Sequence, residues 1–163
     1  MNKRKRIIIA ALLFTAGLAR AQTPADKVDP FIGTTDFGTT HPGALCPNGM
    51  MAVVPFNVMG SDTNVYDKDA RWGSTPCEYH NEFFTGFAHG ALSGVGCPEM
   101  GSLLTMATSG PLTVDYREYG TAYRDERATP GYYSVRLDKY GILAEAAATA
   151  RTSAERYTFP AGK

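Results

Sequence analysis

FFTGFAHGALSGVGCPEMGSLLTM, residues 83–106, joins an aromatic segment to an aliphatic one through a connection that is rich in glycine. Both ends have the composition of β-strands. Glycine is used where the backbone needs a positive φ or approaches another surface closely. The polar groups on the connection are His89, Ser93 and Glu99. Two interpretations stay open: a tight β-connection with His89 hydrogen-bonded inside it, or a loop that lines a sugar or another ligand.

The second half of the chain has the alternation of apolar and polar residues that is typical of antiparallel strands. Tyr133, Val135 and Leu137 alternate with polar residues, and the turn sequence DKYG at 138–141 leads into another apolar run. The run AEAAATA at 144–150 has high helix propensity. Hairpin signals flank this run on both sides, so we predict a strand there.

No segment shows a sustained helical period of apolar residues. The first half of the chain is instead irregular, with many glycine and proline residues between short apolar runs. These patterns predict an all-β fold, namely a mostly antiparallel β-sandwich with long loops that is incomplete at its carboxyl-terminal end.

Residues 1–21 have the pattern of a secretory signal peptide. Basic residues at positions 3–6 precede a short apolar run at 7–19, and Ala19-Arg20-Ala21 fits the small-x-small cleavage pattern. The apolar run is shorter than the roughly 20 residues that a membrane-spanning helix needs. We therefore expect an exported domain over residues 22–163, either periplasmic or extracellular, with no membrane contact after cleavage.

The charge of the mature chain indicates which kinds of binding partner are unfavourable. Five of the 16 Lys and Arg residues lie in the predicted signal peptide, which leaves 11 against 16 acidic residues and a formal net charge of −5. An acidic domain is a poor match for nucleic acid or for an anionic membrane surface.

Cys46, Cys77 and Cys97 are an odd number, so at least one thiol is expected to lack a partner within the chain. The absence of CxxC and HxxxH spacing argues against zinc.

The loop at 33–43 carries the first group of candidate binding residues. Asp36 and His41 lie among threonines on this loop, which leads into a short apolar strand. Hydroxyl, carboxylate and imidazole groups can bind a ligand. They can equally satisfy the turns of the loop itself, since Asp and Thr side chains often bond their own backbone.

A second polar region, residues 57–81, contains Trp72, the only tryptophan of the chain. Arg71 and Glu78 are near Trp72 in sequence. An aromatic ring beside charged side chains is a common arrangement for sugars, because the ring covers a C–H face while the polar groups bind hydroxyls. A lone tryptophan in a core is the alternative interpretation.

Five motifs occur in order along the mature chain: VDPFIGT at 28–34, HPGALCPNGM at 41–50, GFAHGALSGVGCPEMGSLLTM at 86–106, TPGYYSVRLDKYGI at 129–142 and RYTFP at 156–160. Together they resemble the amino-terminal domain of glycoside hydrolase family 92, a family of exo-acting α-mannosidases. Five ordered motifs with similar spacing are far more specific than any one of them, and they cover essentially the whole mature chain.

The resemblance implies a β-sandwich followed by a helical linker and a large (α/α)₆ barrel, with the active site in the cleft between sandwich and barrel. It also implies an inverting reaction, in which a glutamic acid protonates the leaving oxygen, an aspartate activates water, and a bound Ca²⁺ holds mannose hydroxyls. Such a site needs two carboxyl groups about 6.5–9.5 Å apart. Ca²⁺ is a hard ion that prefers oxygen ligands.

In the resembled family the catalytic acid, the base and most calcium ligands come from the barrel, which follows the sandwich. We therefore expect no catalytic residue and no metal ligand in this chain, and no activity of the chain alone. Sandwich loops contribute to the substrate cleft, and the resemblance carries this role onto Asp36, His41, Arg71, Trp72, Glu78 and His89. The stretch at 69–80 departs from the tryptophan-rich family pattern and does not identify the aromatic side chain that contacts the leaving sugar.

The leading hypothesis is therefore the amino-terminal portion of an exported, Ca²⁺-dependent inverting α-mannosidase that acts on mannose-rich glycans. This portion would shape the sugar cleft and dock the downstream (α/α)₆ domain. The alternatives are a non-catalytic carbohydrate-binding β-sandwich and an inactive fragment. Mannose binding without hydrolysis would favour the binding module over the enzyme.

Overall fold

The computed structural model describes residues 22–35, 39–59, 76–92 and 101–162. Predictions that concern the signal peptide at 1–21, Asp36, Arg71 and Trp72 lie outside these ranges. In the ranges that are described, no helix has both the length and the apolar character needed to cross a bilayer.

Short loops connect small β-strands in the described part of the chain, and helical structure is confined to two single turns. In chain order the elements are a 3₁₀ turn at Pro24–Lys27, β1 at Ala44–Leu45, β2 at Ala52–Phe56, β3 at Phe83–Phe84, β4 at Gly86–His89, β5 at Leu103–Thr105, α1 at Tyr116–Tyr119, β6 at Thr121–Thr129, β7 at Tyr132–Leu137, β8 at Ile142–Ala148 and β9 at Ser153–Thr158.

The strands form two antiparallel sheets. One has four strands in the order β1-β2-β4-β5, and the other has five in the order β3-β6-β7-β8-β9. Every neighbouring pair is antiparallel. The all-β, mostly antiparallel sandwich predicted from the sequence is confirmed.

The chain changes sheets between β3 and β4, within the glycine-rich stretch at 83–106. Thr85 alone separates the two strands, and its N–H donates to the Phe56 carbonyl at 2.9 Å. Gly86 follows with φ 145°, and a Cβ at this position would lie 2.4 Å from the Thr105 carbonyl oxygen of β5. Only glycine allows the backbone of β4 to approach β5 this closely.

The core lies between the two sheets and follows the alternation read from the sequence. Tyr133, Val135 and Leu137 of β7 are fully buried, as are Ile142 and Ala144 of β8. Aromatic rings contributed by both sheets complete this cluster.

The strand predicted for the alanine-rich run is also confirmed, since β8 extends to Ala148. β8 pairs with β7 over residues 142–147 on one side and with β9 over residues 143–148 on the other. Two ladders of backbone hydrogen bonds, together with burial of Ala144 and Ala146, outweigh the helix propensity of alanine, which is a weak preference of well under 1 kcal/mol per residue.

A bulge in β6 turns one acidic side chain inward. The register between β6 and β7 shifts between Arg124 and Arg127, and Asp125 adopts φ 54° there. The extra residue changes the alternation, so Glu126 faces the core and accepts a hydrogen bond from the Tyr133 hydroxyl at 2.6 Å. A carboxyl group is thereby placed between the sheets.

Candidate functional site

The two loops that carry candidate binding residues meet on the surface of the sandwich. The Tyr79 N–H donates to the Thr34 carbonyl at 2.9 Å. The rings of Phe31 and Tyr79 lie 5.6 Å apart, at an interplanar angle of 68°. Regions that are more than forty residues apart in sequence therefore form one continuous surface.

The first loop is closed at its base. The Thr40 N–H donates to the Gly33 carbonyl at 3.2 Å, and the Thr40 hydroxyl donates to the Ile32 carbonyl at 2.7 Å. The Thr34 hydroxyl donates to the Phe31 carbonyl at 2.8 Å. His41 follows directly, so it lies where this loop enters the sandwich.

His41 is buried, with 8% of its surface exposed, and neither ring nitrogen has a hydrogen-bond partner among the described residues. Burial lowers the pKa of His41 to about 4, so the ring is neutral at pH 7. A buried polar group without a partner is costly. A neutral imidazole offers one donor and one acceptor. Both nitrogens of His41 are enclosed by protein, so neither is accessible to a ligand in this structure.

The return segment of the second loop is held by Asn57, a fully buried residue directly after β2. Its amide nitrogen donates to the Glu78 carbonyl at 3.0 Å and to the Tyr123 hydroxyl at 2.9 Å. Its amide oxygen accepts from the Glu78 N–H at 2.9 Å. Asn81 donates to the Asn57 carbonyl at 3.0 Å, and the Tyr123 hydroxyl donates to the Asn81 carbonyl.

Glu78 is therefore positioned through its backbone, which Asn57 contacts at both the N–H and the carbonyl. Its side chain is half-buried. Two of the predicted binding residues, Glu78 and His41, thus lie on the pair of loops that the Tyr79–Thr34 hydrogen bond joins.

His89 lies away from these loops, at the end of β4 and facing the second sheet. Its Nδ1 is 3.2 Å from the Leu103 carbonyl oxygen, and its Nε2 contacts the Glu155 carboxylate of β9. The same carboxylate accepts from the Thr105 hydroxyl at 3.2 Å and from the Tyr157 hydroxyl. The side chains of His89 and Glu155 are 13% and 15% exposed. The interpretation in which His89 is hydrogen-bonded within the β-connection agrees with these contacts.

Sequence reasoning did not select Tyr79, His80, Phe31 or Asn57. The available signal was the aromatic and imidazole pair Tyr79-His80 within a polar segment. Nothing in the sequence relates this pair to Phe31, because their contact depends on the fold. Asn57 carries no local signal, since its partners are 21 and 66 residues away.

A metal ion needs a set of ligand groups placed together. No group of three or more His, Cys, Asp or Glu side chains in the described ranges is placed to hold an ion. The described residues therefore do not by themselves fit a Ca²⁺ site, which needs six to eight oxygen ligands.

Comparison with known protein families identifies the class. The model of the glycosyl hydrolase family 92 N-terminal domain matches residues 27–163. The chain belongs to this family.

Solved structures that are similar to this chain include two family 92 mannosidases and a further family 92 glycosyl hydrolase. The α-mannosidase BT3965 from Bacteroides thetaiotaomicron is 30% identical, with a TM-score of 0.71, over 83% of this chain and 18% of that chain. The family 92 glycosyl hydrolase ccman5 is 33% identical, with a TM-score of 0.66, over 85% of this chain and 19% of that chain.

A third structure extends the likeness of fold to a more distant relative. The inverting mannosidase BT2199 from Bacteroides thetaiotaomicron VPI-5482 is 22% identical, with a TM-score of 0.64, over 87% of this chain and 19% of that chain. No curated protein matches the sequence. The chain spans less than one fifth of the length of the three solved relatives.

Proposed function

We propose that the chain is the amino-terminal portion of an exported, Ca²⁺-dependent, inverting α-mannosidase that acts on mannose-rich glycans. The observation that carries the proposal is the family match, which extends over residues 27–163. Two solved relatives at 30% and 33% identity support it, one of them described as an α-mannosidase and the other as a family 92 glycosyl hydrolase.

In this proposal the sandwich contributes to the sugar cleft and docks a downstream (α/α)₆ domain. The proposed contacts to sugar come from Asp36, His41, Arg71, Trp72, Glu78 and His89. The joined loops support this role, since the Tyr79–Thr34 hydrogen bond connects the segments that carry His41 and Glu78. His89 would contact sugar only through the exposed part of its ring, because both ring nitrogens already face protein oxygens.

The proposed division of labour is the one that the family resemblance implies. In it, the sandwich loops bind and orient the sugar, whereas the catalytic acid, the base and most ligands of Ca²⁺ come from the downstream domain. When bound, Ca²⁺ would hold vicinal hydroxyls of mannose through its preference for oxygen ligands. Export to the periplasm or the cell exterior is proposed from the signal-peptide pattern at residues 1–21.

The test compares two purified proteins, residues 22–163 alone and the protein extended through its downstream reading frame. Hydrolysis of p-nitrophenyl α-mannoside and of α-linked mannobioses is measured with added Ca²⁺ and with a chelator. We expect hydrolysis only by the extended protein, lost with chelator and restored by Ca²⁺. The anomeric configuration of the first product, followed by NMR, tests inversion.

Three outcomes would contradict parts of the proposal. Ca²⁺-dependent hydrolysis by residues 22–163 alone would place catalytic groups in this chain. Hydrolysis that is insensitive to the chelator would exclude the metal requirement. Mannose binding without hydrolysis by the extended protein would indicate a carbohydrate-binding module in place of an enzyme.

A further inference from the structure

We infer that Tyr79, supported by Phe31 and His80, forms an aromatic platform on which the non-polar face of a pyranose ring stacks. The inference rests on the proposed function, because that function supplies the class of ligand. It assigns a specific sugar contact to a residue that the sequence analysis did not select. We call the side chains of Tyr79, Phe31 and His80 the aromatic platform.

The platform combines an exposed ring with lateral support. Tyr79 keeps 49% of its surface exposed, and His80 is also exposed. The Tyr79 ring meets Phe31 at 5.6 Å and 68°, and it meets His80 at 5.6 Å and 74°. Edge-to-face contacts of this kind favour one orientation of the ring. About half of the tyrosine remains accessible to a ligand.

The backbone under the platform is held on both sides. The Tyr79 N–H is bonded to Thr34 at 2.9 Å, and the preceding residue, Glu78, is bonded to the buried Asn57. The Asn81 N–H donates to the Glu78 carbonyl at 3.1 Å, which closes a turn around Tyr79 and His80. A ring that is already ordered loses little conformational entropy when a ligand stacks on it.

The surroundings also fit a polar ligand that has one apolar face. The platform adjoins the loop at 33–43 through the hydrogen bond from the Tyr79 N–H to the Thr34 carbonyl. Stacking covers the C–H face of a sugar, while its hydroxyl groups need donors and acceptors nearby. The exposed His80 and the half-buried Glu78 are the polar side chains next to Tyr79 in the chain.

The experiment uses the full-length protein with its downstream domain. Tyr79→Ala and Tyr79→Leu remove the ring, Tyr79→Phe keeps it, and Tyr116→Ala removes a tyrosine from α1 as the matched control. For each variant we measure kcat and KM on α-linked mannobiose and on p-nitrophenyl α-mannoside, and thermal unfolding. The leucine variant retains apolar volume in case the alanine variant does not fold.

We expect Tyr79→Ala and Tyr79→Leu to raise KM for at least one of the two substrates by about tenfold, which is the loss of one aromatic contact of roughly 1.4 kcal/mol. Tyr79→Phe should stay within about threefold of the parent, because the ring is retained. Unchanged KM values in the alanine and leucine variants would overturn the inference. So would a large loss of thermal stability in both variants, which would indicate that Tyr79 packs against the downstream domain.

The experiment distinguishes an error in the proposed function from an error in the proposed aromatic platform. If the parent protein hydrolyses no α-mannoside, the proposed activity is wrong, and calorimetric titration with mannose oligosaccharides then tests the platform alone. Binding by the parent that Tyr79→Ala loses would support the platform as part of a binding module. No binding by the parent would overturn it.

Discussion

Glu126 shows how one backbone dihedral angle turns a charge-bearing side chain toward the core, where it is partly buried. The bulge at Asp125, with φ 54°, turns the next side chain inward to the buried hydroxyl of Tyr133. Burial raises the pKa of Glu126 above its ordinary value of 4.5, and the hydrogen bond from Tyr133 opposes part of this rise. The carboxyl group therefore favours its neutral form more in the folded protein than in the unfolded chain.

This shift predicts a dependence of stability on pH. The folded state keeps the Glu126 proton at pH values where the unfolded chain has lost it, so the free energy of unfolding falls as pH rises above 4.5 through the folded pKa. Glu126→Gln removes the titration and keeps an acceptor for Tyr133. We expect the variant to gain stability relative to the parent as pH rises from about 4.5 to 7.5.

Urea unfolding of both proteins across this pH range measures the difference. Glu118→Gln is the matched control, because Glu118 is exposed on α1 and accepts its hydrogen bond from Thr113 at 2.7 Å. A constant difference between parent and Glu126→Gln at all pH values would show that Glu126 does not titrate differently on folding.

His89 and Glu155 form a side-chain connection between the two sheets, which predicts that their effects on stability are coupled. Each is about one-seventh exposed, and together they contact Leu103, Thr105 and Tyr157. We expect His89→Ala to lower the free energy of unfolding by roughly 1–3 kcal/mol, because Glu155 loses a partner in a poorly solvated site. A double-mutant cycle with Glu155→Ala should give a coupling energy of roughly 0.5–3 kcal/mol.

The same variants distinguish a structural from a substrate-binding role for His89. Additive effects of the two substitutions would exclude the connection between the sheets. An unchanged free energy of unfolding in His89→Ala, combined with a raised KM for α-mannosides in the full-length protein, would assign His89 to the sugar.

At the scale of elements, the change of sheet between β3 and β4 depends on a close approach that only glycine permits. β3 pairs with β6 in one sheet, and β4 pairs with β2 and β5 in the other. The backbone at Gly86 therefore lies against the Thr105 carbonyl of β5, with no space for a side chain. Both the pairing of β5 with β4 and the crossing of the chain between the sheets therefore depend on the backbone at Gly86.

We predict that Gly86→Ala lowers the free energy of unfolding by roughly 3–5 kcal/mol, because it combines an unfavourable φ with a backbone clash. Gly110→Ala is the matched control. Gly110 also has a positive φ, 104°, but a Cβ there would meet nothing within 4 Å. The control should cost roughly 1–3 kcal/mol from φ alone. Equal losses in chemical denaturation would show that the approach to β5 is not limiting.

At the scale of the whole molecule, the two sheets are held together by an aromatic centre and by polar contacts beside it. Phe87 of β4 packs edge-to-face on Phe84 at 5.2 Å and on Tyr133 at 5.8 Å. The Asn57–Tyr123 hydrogen bond and the His89–Glu155 contact also cross between the sheets. The polar contacts specify how the sheets are placed, whereas buried aromatic surface supplies most of the stability.

Phe87→Ala is predicted to destabilise the fold by about 3–5 kcal/mol, the usual cost of truncating a fully buried phenylalanine. Thermal unfolding should remain a single transition within the sandwich, because both sheets lose the same central contact. Phe159→Ala is the control, since Phe159 is 45% exposed. Equal effects of the two substitutions would show that the sheets do not depend on the Phe87 contact.

The amino-acid sequence by itself determined the all-β class, the inward-facing residues of β7, the strand in the alanine-rich run, the hairpin at 138–141 and the family. These features are encoded locally, because alternation has a period of two residues and turns need particular residue types. The family was identified from the order and spacing of five motifs, which are also properties of the sequence alone.

Only the tertiary structure decided which loops meet, that His89 contacts Glu155, that Glu126 faces inward, and that Tyr79 is supported by Phe31 and His80. Each of these contacts, apart from the adjacent pair Tyr79 and His80, depends on how the sheets pack, on the bulge in β6, or on side chains that are distant in sequence. Such contacts depend on where the chain changes sheets and on the bulge in β6. Neither feature produces a periodic pattern or a characteristic composition that could be recognised in the sequence.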